Sequence, residues 1–375
     1  NVASIDFTSS YPSVMISEKF PMSSPKSVEV DSLAELEQLM KNYCVVFDVR
    51  YENIKSTIGY ENYISESKTR NLINGVSNNG RVFSADNLET TITELDYNII
   101  KNTYEYSDIY VSNVKIMYKG FLPKPIIDSV LELYQDKTEL KGVKGKETEY
   151  LLSKGMLNSI YGMTVTDIAK DNHTYDGEWE LEPVDLEDVL NKHNKSKNRF
   201  LYYAWGVWVT AYARFNLWSG ILAIGDDYVY SDTDSIKFLN PDKHQNYIDM
   251  YNQKLSEKQS KVIEYYELDP ELFKPKTIEG IEKPIGVWDF EGLYSRFKTL
   301  GAKRYLSEHE NKLEITIAGL SKKNGLNYML NKSGSNTGVF RMFNNSLFIP
   351  KSDTGKNTHT YIDESKTVEI KDYLG

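Results

Sequence analysis

The sequence predicts an α+β protein of two or three subdomains, on three observations. At 375 residues and 40% hydrophobic content, the chain is long for one core and can bury a sizeable interior. Short β-prone runs and helical segments both recur along its length. Two β-like runs, Asp227-Tyr228-Val229-Tyr230 and Ile236-Lys237-Phe238, flank Ser231-Asp232-Thr233-Asp234-Ser235, which reads as strand, acidic turn, strand.

Composition bounds the class. The 54 acidic residues exceed the 44 basic ones, a net charge of −10, which argues against a simple nucleic-acid-binding domain but leaves room for a locally basic groove. The single cysteine, Cys44, excludes an intrachain disulfide and a cysteine-rich zinc site and fits a reducing cytosol. No apolar run approaches the ~18–20 residues of a membrane span. The chain begins at Asn1 inside a β-like segment, which reads as a fragment of something longer.

Taken in order, the first β run ends in Asp6 and passes into Thr8-Ser9-Ser10-Tyr11-Pro12. Small residues there let backbone N–H groups approach an anion; the plain alternative is a Ser-rich turn. Residues 19–120 are polar and mixed. Strands are expected at Cys44-Val45-Val46-Phe47-Asp48-Val49, at Arg81-Val82-Phe83-Ser84 and over 107–118, with helices over 32–41 and 90–106. No catalytic constellation falls there, so the segment reads as an inserted α+β subdomain. A helix over 125–134 follows, then a basic, glycine-bearing link with Lys137, Lys141, Lys144 and Lys146. A second helix over 147–161 is closed by Gly162 at a C-cap position.

On that second helix Lys154, Asn158 and Tyr161 stand at i, i+4 and i+7 and share a face. The set suits a nucleotide, the ammonium on phosphates and the ring and amide at the base end; it equally suits a solvated face with Tyr161 against the core. Residues 166–198 read as an exposed insert or hairpin around Glu178-Trp179-Glu180-Leu181. The apolar helix over 202–224, with Trp205, Trp208, Tyr212 and Trp218, reads as core. An amphipathic helix over 245–266 and strands over 286–292 and 295–300 come next. Lys303 and Tyr305 alternate in β fashion and would share a face, a cation and a phenol fit for a backbone phosphate. The tail over 320–375 carries β-like Gly338-Val339-Phe340 and Thr367-Val368-Glu369-Ile370.

The acidic turn crowds two carboxylates at one tip, where they repel unless a cation sits between them. Mg²⁺ takes one or two carboxylates plus substrate phosphates. An ordinary Asp- and Ser-rich surface turn is the alternative.

The ordered set Asp6…Ser9-x-Tyr11-Pro12, Lys154-x-x-x-Asn158-Ser159-x-Tyr161-Gly162, Tyr230-x-Asp232-Thr233-Asp234-Ser235 and Lys303-x-Tyr305 resembles motifs A, B, C and Lys-x-Tyr of family B DNA polymerases. The inserts after the first two motifs, and Gly206-Val207-Trp208-Val209-Thr210-Ala211, resemble the protein-primed bacteriophage branch. The likeness spans nearly the whole chain. It implies a right-hand fold: an antiparallel palm sheet (1–18 and 199–319), helical fingers (121–165), a small β-rich thumb (320–375) and two inserted terminal-protein regions (19–120 and 166–198). The first insert would dock the priming protein; the second would close a ring round the downstream template.

The resemblance also implies template-directed addition of deoxynucleotides to a 3′-hydroxyl by two-metal phosphoryl transfer, with two Mg²⁺ or Mn²⁺ ions. Asp6 and Asp234 would be the metal ligands, and Asp232 a supporting acid near the primer end. Ser9, Ser10 and Lys154 would hold the triphosphate, and Tyr11 would lie under the sugar. Asn158 and Tyr161 would press on the new base pair, while Thr233, Lys303 and Tyr305 would hold the primer. Partners would be DNA primer-template, deoxynucleoside triphosphates and a terminal protein, with no membrane, in the host bacterial cytosol if the chain is phage-encoded.

Two departures stand out. Only five residues precede Asp6, where the branch carries a proofreading exonuclease, so that domain is expected to be missing or removed. The branch also expects a basic residue one or two turns before Lys154, where Glu147 and Tyr150 stand; Lys144 or Lys146 would substitute. Two rival classes remain. A metal-dependent nuclease also pairs carboxylates but would not need the Lys154 motif. An idle module binding nucleic acid or the priming protein would not need every metal and triphosphate residue.

Overall fold

A four-stranded sheet built from distant parts of the chain, here called the palm sheet after the expected subdomain, organises the computed structural model, which describes residues 1–197, 199–350 and 367–369. Its first strand, β1 (Val2–Phe7), runs into helix α1 (Ser10–Ser17). The first insert then contributes β2 (Phe20–Pro21), β3 (Lys26–Ser27), α2 (Leu33–Asn42), β4 (Tyr43–Ser56), β5 (Arg70–Ile73), β6 (Val76–Asn78), β7 (Arg81–Thr93), α3 (Glu94–Thr103), β8 (Tyr104–Glu105) and β9 (Asp108–Gly120). These strands form one antiparallel eight-stranded sheet, ordered β2-β9-β4-β7-β5, with β3 on β9, β6 on β7 and β8 on β4.

Helices α4 (Lys124–Glu139) and α5 (Glu147–Thr164) pair next, followed by the hairpin β10 (Asn172–Tyr175) and β11 (Trp179–Glu182) and by α6 (Leu186–Lys195). Helix α7 (Tyr203–Ile224) leads into β12 (Tyr228–Asp232) and β13 (Ser235–Phe238), then α8 (Pro241–Tyr266) and β14 (Trp288–Tyr294). The palm sheet is antiparallel, in the order β12-β13-β1-β14. The chain continues through β15 (Arg296–Gly301), β16 (Arg304–His309), β17 (Lys312–Ile317), α9 (Lys322–Ser333), α10 (Asn336–Met342), β18 (Phe348–Pro350) and β19 (Thr367–Glu369).

Alternation along β1 and β13 explains the two faces of the palm. Ala3, Ile5, Phe7, Ile236 and Phe238 point one way and are buried with Leu217, Trp218 and Ile221 of α7 and with Trp288. Ser4, Asp6, Ser235 and Lys237 point the other way. Helix α7 lies close on this sheet because Gly220 has no side chain: a Cβ there would stand 2.7 Å from Ile236 Cδ1. Trp205, Trp208, Tyr212 and Trp218 are all buried, so the aromatic helix is core, as expected. No described helix is long and apolar enough to cross a membrane.

Several local expectations need correction. The helix expected over 90–106 starts only at Glu94; Thr90, Thr91, Ile92 and Thr93 continue β7 against β4, and Thr93 closes a capping box with Asp96. Helix α5 does not stop at Gly162 but runs on to Thr164. Helix α8 begins at Pro241, before the expected 245. The 166–198 segment holds helix α6 besides its hairpin, started by the Asp185 side chain accepting from the Asp188 N–H. Gly338, Val339 and Phe340 are helical in α10, because Ser335 caps the Gly338 N–H.

The expected β-rich thumb is therefore mixed. Helices α9 and α10 share one apolar core with β16 and β17, through Leu306, Ile315, Met329, Val339 and Phe343. Residue Asn198, residues 351–366 and 370–375 of the expected thumb, and the Ile370 end of its last β run lie outside the described residues.

Candidate active site

The register of β1 brings the first and third motifs together. Asp6 pairs with Ser235 on one side and with Asp289 on the other, and the Phe7 N–H donates to the Asp234 carbonyl at 2.9 Å. The acidic turn is a two-residue hairpin loop, with Asp232 opposite Ser235 and the Asp234 N–H donating to the Asp232 carbonyl at 2.5 Å. Thr233 at its tip has φ 54°, a left-handed conformation costly for a β-branched residue. Such strain is tolerated where the surroundings fix it, and here it closes the turn beside Asp6, which lines a cleft.

That cleft, about 320 Å³, is lined by Asp6, Ser9, Tyr134, Lys137, Lys141, Lys283, Asp289 and Glu291. Three acidic residues of this region have lysine partners. Lys303 Nζ meets Asp232 at 3.1 Å, Lys283 Nζ meets Asp289 at 2.7 Å, and Lys237 Nζ meets Glu291 at 3.2 Å. Asp6 and Asp234 have no salt-bridge partner among the described residues. Burial, then the charges of Asp234 and Glu291, push the Asp6 carboxyl up to about 7. Burial and Asp232 raise that of Asp234 as well. The described residues contain no cluster of three or more His, Cys, Asp or Glu side chains fit to cage an ion. Two half-buried, unpaired carboxylates beside a basic cleft instead match the donor set of Mg²⁺ shared with substrate phosphates.

The turn after Asp6 is shaped for an anion. Ser9 is left-handed at φ 61° and precedes α1, whose first N–H groups have no intrahelical partner. Gly286 braces this turn: its N–H donates to the Thr8 carbonyl at 2.7 Å, its φ is 86°, and a Cβ would stand 2.5 Å from Ser13 Cβ. Lys137 Nζ donates to Ser9 Oγ at 2.8 Å. Burial, then the neighbouring charges of Lys154 and Lys141, lower the Lys137 pKa, so three ammonium groups converge here. Tyr11 and Tyr161 meet with ring centroids 4.7 Å apart at 58°, and Asn158 is exposed on the same helix as Tyr161. Of the expected site residues, Asp6 and Ser9 line this cleft; Asp234 acts electrostatically on Asp6 and Tyr11, Lys154 acts on Lys137, and Tyr11 meets Tyr161.

On sequence, Lys144 or Lys146 is the candidate for the basic residue expected before Lys154; Lys146 pairs with Glu149 at 2.7 Å, and Lys137 of α4 is the lysine that reaches Ser9. The signal was in the sequence: Lys137 follows Ile127, Val130, Leu131 and Tyr134 in phase with the buried stripe, so it points inward.

The Lys303 and Tyr305 pair also differs from expectation. Lys303 is a turn residue at φ 54°, not a strand residue sharing a face with Tyr305. Its N–H donates to the Tyr230 hydroxyl at 2.9 Å and its ammonium reaches Asp232. Tyr305 packs at 5.5 Å on Phe297 and 5.3 Å from Tyr230. The two residues meet through Tyr230 rather than by alternation.

The sheet carrying Asp6 and Asp234 thus lies beside a helical hairpin carrying Lys137 and Lys154. Residues 1–253 match the family described as DNA polymerase type B, organellar and viral, and the chain belongs to that family. It is 26% identical over 222 residues to the DNA polymerase of Bacillus phage Nf, which covers 59% of this chain and 32% of that protein. It is 25% identical over 225 residues to that of Bacillus phage B103, covering 60% and 32%. Phi29 DNA polymerase complexed with primer-template DNA and incoming nucleotide is similar in fold, with TM-score 0.61 and 18% identity over 93% of this chain and 55% of that one. The form complexed with single-stranded DNA gives TM-score 0.58, 17% identity, and 93% and 54% coverage. The family resemblance read from the four motifs is borne out. The chain spans about a third of the length of the curated relatives it matches.

Proposed function

We propose that this chain is the polymerising part of a template-directed DNA polymerase of the protein-primed phage type. The observation that carries the reading is the contrast near the cleft: the neighbouring carboxylates form salt bridges with lysines, while Asp6 and Asp234 form none among the described residues and Lys137 and Lys154 converge close by. Asp6 and Asp234 would hold the divalent ions. When bound, those ions supply the Lewis acidity that draws the 3′-hydroxyl and the α-phosphate together.

The remaining work falls to the chain itself. The Ser9 and Ser10 backbone, Lys137 and Lys154 grip the triphosphate and stabilise charge on the departing pyrophosphate. Tyr11, held by Tyr161, lies under the sugar and leaves no room for a 2′-hydroxyl. Asn158 and Tyr161 press on the nascent base pair. Asp232, Thr233, Lys303 and Tyr305 position the primer end. The inserts at 19–120 and 166–198 would contact the priming protein and encircle the downstream template. The net charge of −10 then belongs to the exterior, with lysines focused in the cleft.

Primer extension tests this directly. With a primer-template, four deoxynucleotides and Mg²⁺, the purified chain should lengthen the primer by template-directed steps. Shortening of DNA without nucleotides, and no extension, would favour the nuclease; DNA binding without either reaction would favour an idle module.

A further inference from the structure

Of the three lysines paired with acids around the site, Lys237 is the buried one. The pairing of β1 with β13 sets Ser4 opposite Lys237, on the same face as Asp6. Lys237 is only 3% exposed. Its ammonium donates to Ser4 Oγ at 2.6 Å and to Glu291 Oε2 at 3.2 Å, and Ser4 Oγ donates to the same carboxylate oxygen at 2.5 Å. Glu291 reaches this position through a bulge: Ile5 pairs with Phe290 and Ser4 with Gly292, so Glu291 is the extra residue on β14.

A buried ammonium is costly unless it is compensated. Apolar packing does not call for it, since Ile236 and Phe238 on either side fill the opposite face of the strand. What lies on its own side is negative charge: Glu291 in contact, and Asp6 one step along the same face. The ammonium also acts on Asp6 electrostatically, opposing the rise caused by burial, Asp234 and Glu291.

We propose that Lys237 is an internal counter-ion of the metal-free site, offsetting the repulsion among Asp6, Asp234 and Glu291 and competing with the divalent cation for them. The proposal rests on the reading of Asp6 and Asp234 as the metal pair. It makes Lys237 a positioning residue whose loss has two opposite consequences. Without it the empty site is less stable, because its carboxylates repel unopposed. Yet the same site attracts a cation more strongly, by roughly tenfold for one charge removed at this range. A lysine that merely braced Glu291 would behave otherwise, since its loss would loosen the site and weaken cation binding.

The test uses the whole chain without DNA or nucleotide, and Mn²⁺ alone as probe. Free Mn²⁺ is counted by electron paramagnetic resonance during titration, and thermal unfolding is followed with and without the ion. Lys237→Met removes charge and hydrogen bonds. Lys237→Gln removes charge but can still hydrogen-bond Ser4 and Glu291, and serves if the Met variant does not fold. Lys237→Arg keeps the charge. The expected result is Mn²⁺ binding about tenfold tighter for Met and Gln, a lower metal-free melting temperature, a larger Mn²⁺-induced rise, and wild-type binding for Arg. Binding by Lys237→Gln equal to or weaker than wild type overturns the proposal. Asp234→Asn in the same titration checks the underlying reading: Mn²⁺ binding that survives it places the ion elsewhere and overturns both.

Discussion

Asp96, in the first turn of α3, and Asp6, on β1, are both aspartates withdrawn from water, and they behave in opposite ways. Burial pushes the Asp96 carboxyl up, but Arg214, Tyr63 and the Thr93 N–H outweigh it and hold the pKa below the ordinary value. Arg214 Nη2 reaches Asp96 at 2.8 Å from α7, so this pair fastens α3 to α7. Asp6 is less buried, yet burial and its acidic neighbours push it up to about 7, because Lys237 and Lys137 offset that rise only in part and no lysine among the described residues forms a salt bridge with it. Burial alone does not mark a functional carboxylate. Asp6 and Asp234 differ from the acids around them in forming no salt bridge with a lysine among the described residues.

The comparison is sharpened first by breaking the satisfied pair. Asp96→Asn should destabilise the chain by about 3 kcal/mol, the low end for a broken buried pair because Arg214 is partly exposed. Urea unfolding measures it; a loss under about 1 kcal/mol would mean the pair is no fastening.

On the palm side, Lys137→Ala should weaken deoxynucleotide binding by roughly 10- to 100-fold, as expected for a charge-assisted phosphate contact. Primer-template affinity should hold within a few-fold. Single-turnover titration of one nucleotide separates the two, and unchanged nucleotide affinity would leave Lys137 a structural partner of Ser9.

Much of this site was legible because its residues sit at strand ends and turns, where residue type carries meaning. The hairpin around Asp232 and Asp234, the turn after Asp6 and the shared face of Lys154 and Tyr161 all follow from local spacing. The rest depends on tertiary pairing. Glu291 enters the site only through a bulge set by the β1 and β14 register. Lys303 adopts a left-handed turn that alternation does not foresee. Thr90, Thr91 and Ile92 were pulled into β7 by pairing with β4, and Val339 into a helix by the Ser335 cap and the Met329 core.

Smaller effects test the outlying assignments. Tyr11→Val should raise ribonucleotide incorporation by about tenfold, since a ring lying under C2′ becomes a small side chain. Unchanged sugar discrimination in a single-nucleotide assay would make Tyr11 only a packing partner of Tyr161. Deleting 166–198 with a short Gly/Ser bridge should leave gap filling on short templates intact while shortening single-encounter products and removing strand displacement. Displacement equal to the parent's on a forked substrate with trap DNA would reassign this insert to the priming protein.

The central claim is that Asp6 and Asp234 are left unpaired for chemistry rather than for folding. Asp234→Asn, read by single-nucleotide incorporation with Mg²⁺ alongside thermal unfolding without metal, tests it most directly. The expected result is incorporation reduced by at least ~10³-fold, primer-template affinity within a few-fold because it rests on many phosphate contacts, and a metal-free melting temperature unchanged or raised, since one of two repelling carboxylates is gone. Substantial incorporation, or a clear fall in metal-free stability, would contradict it.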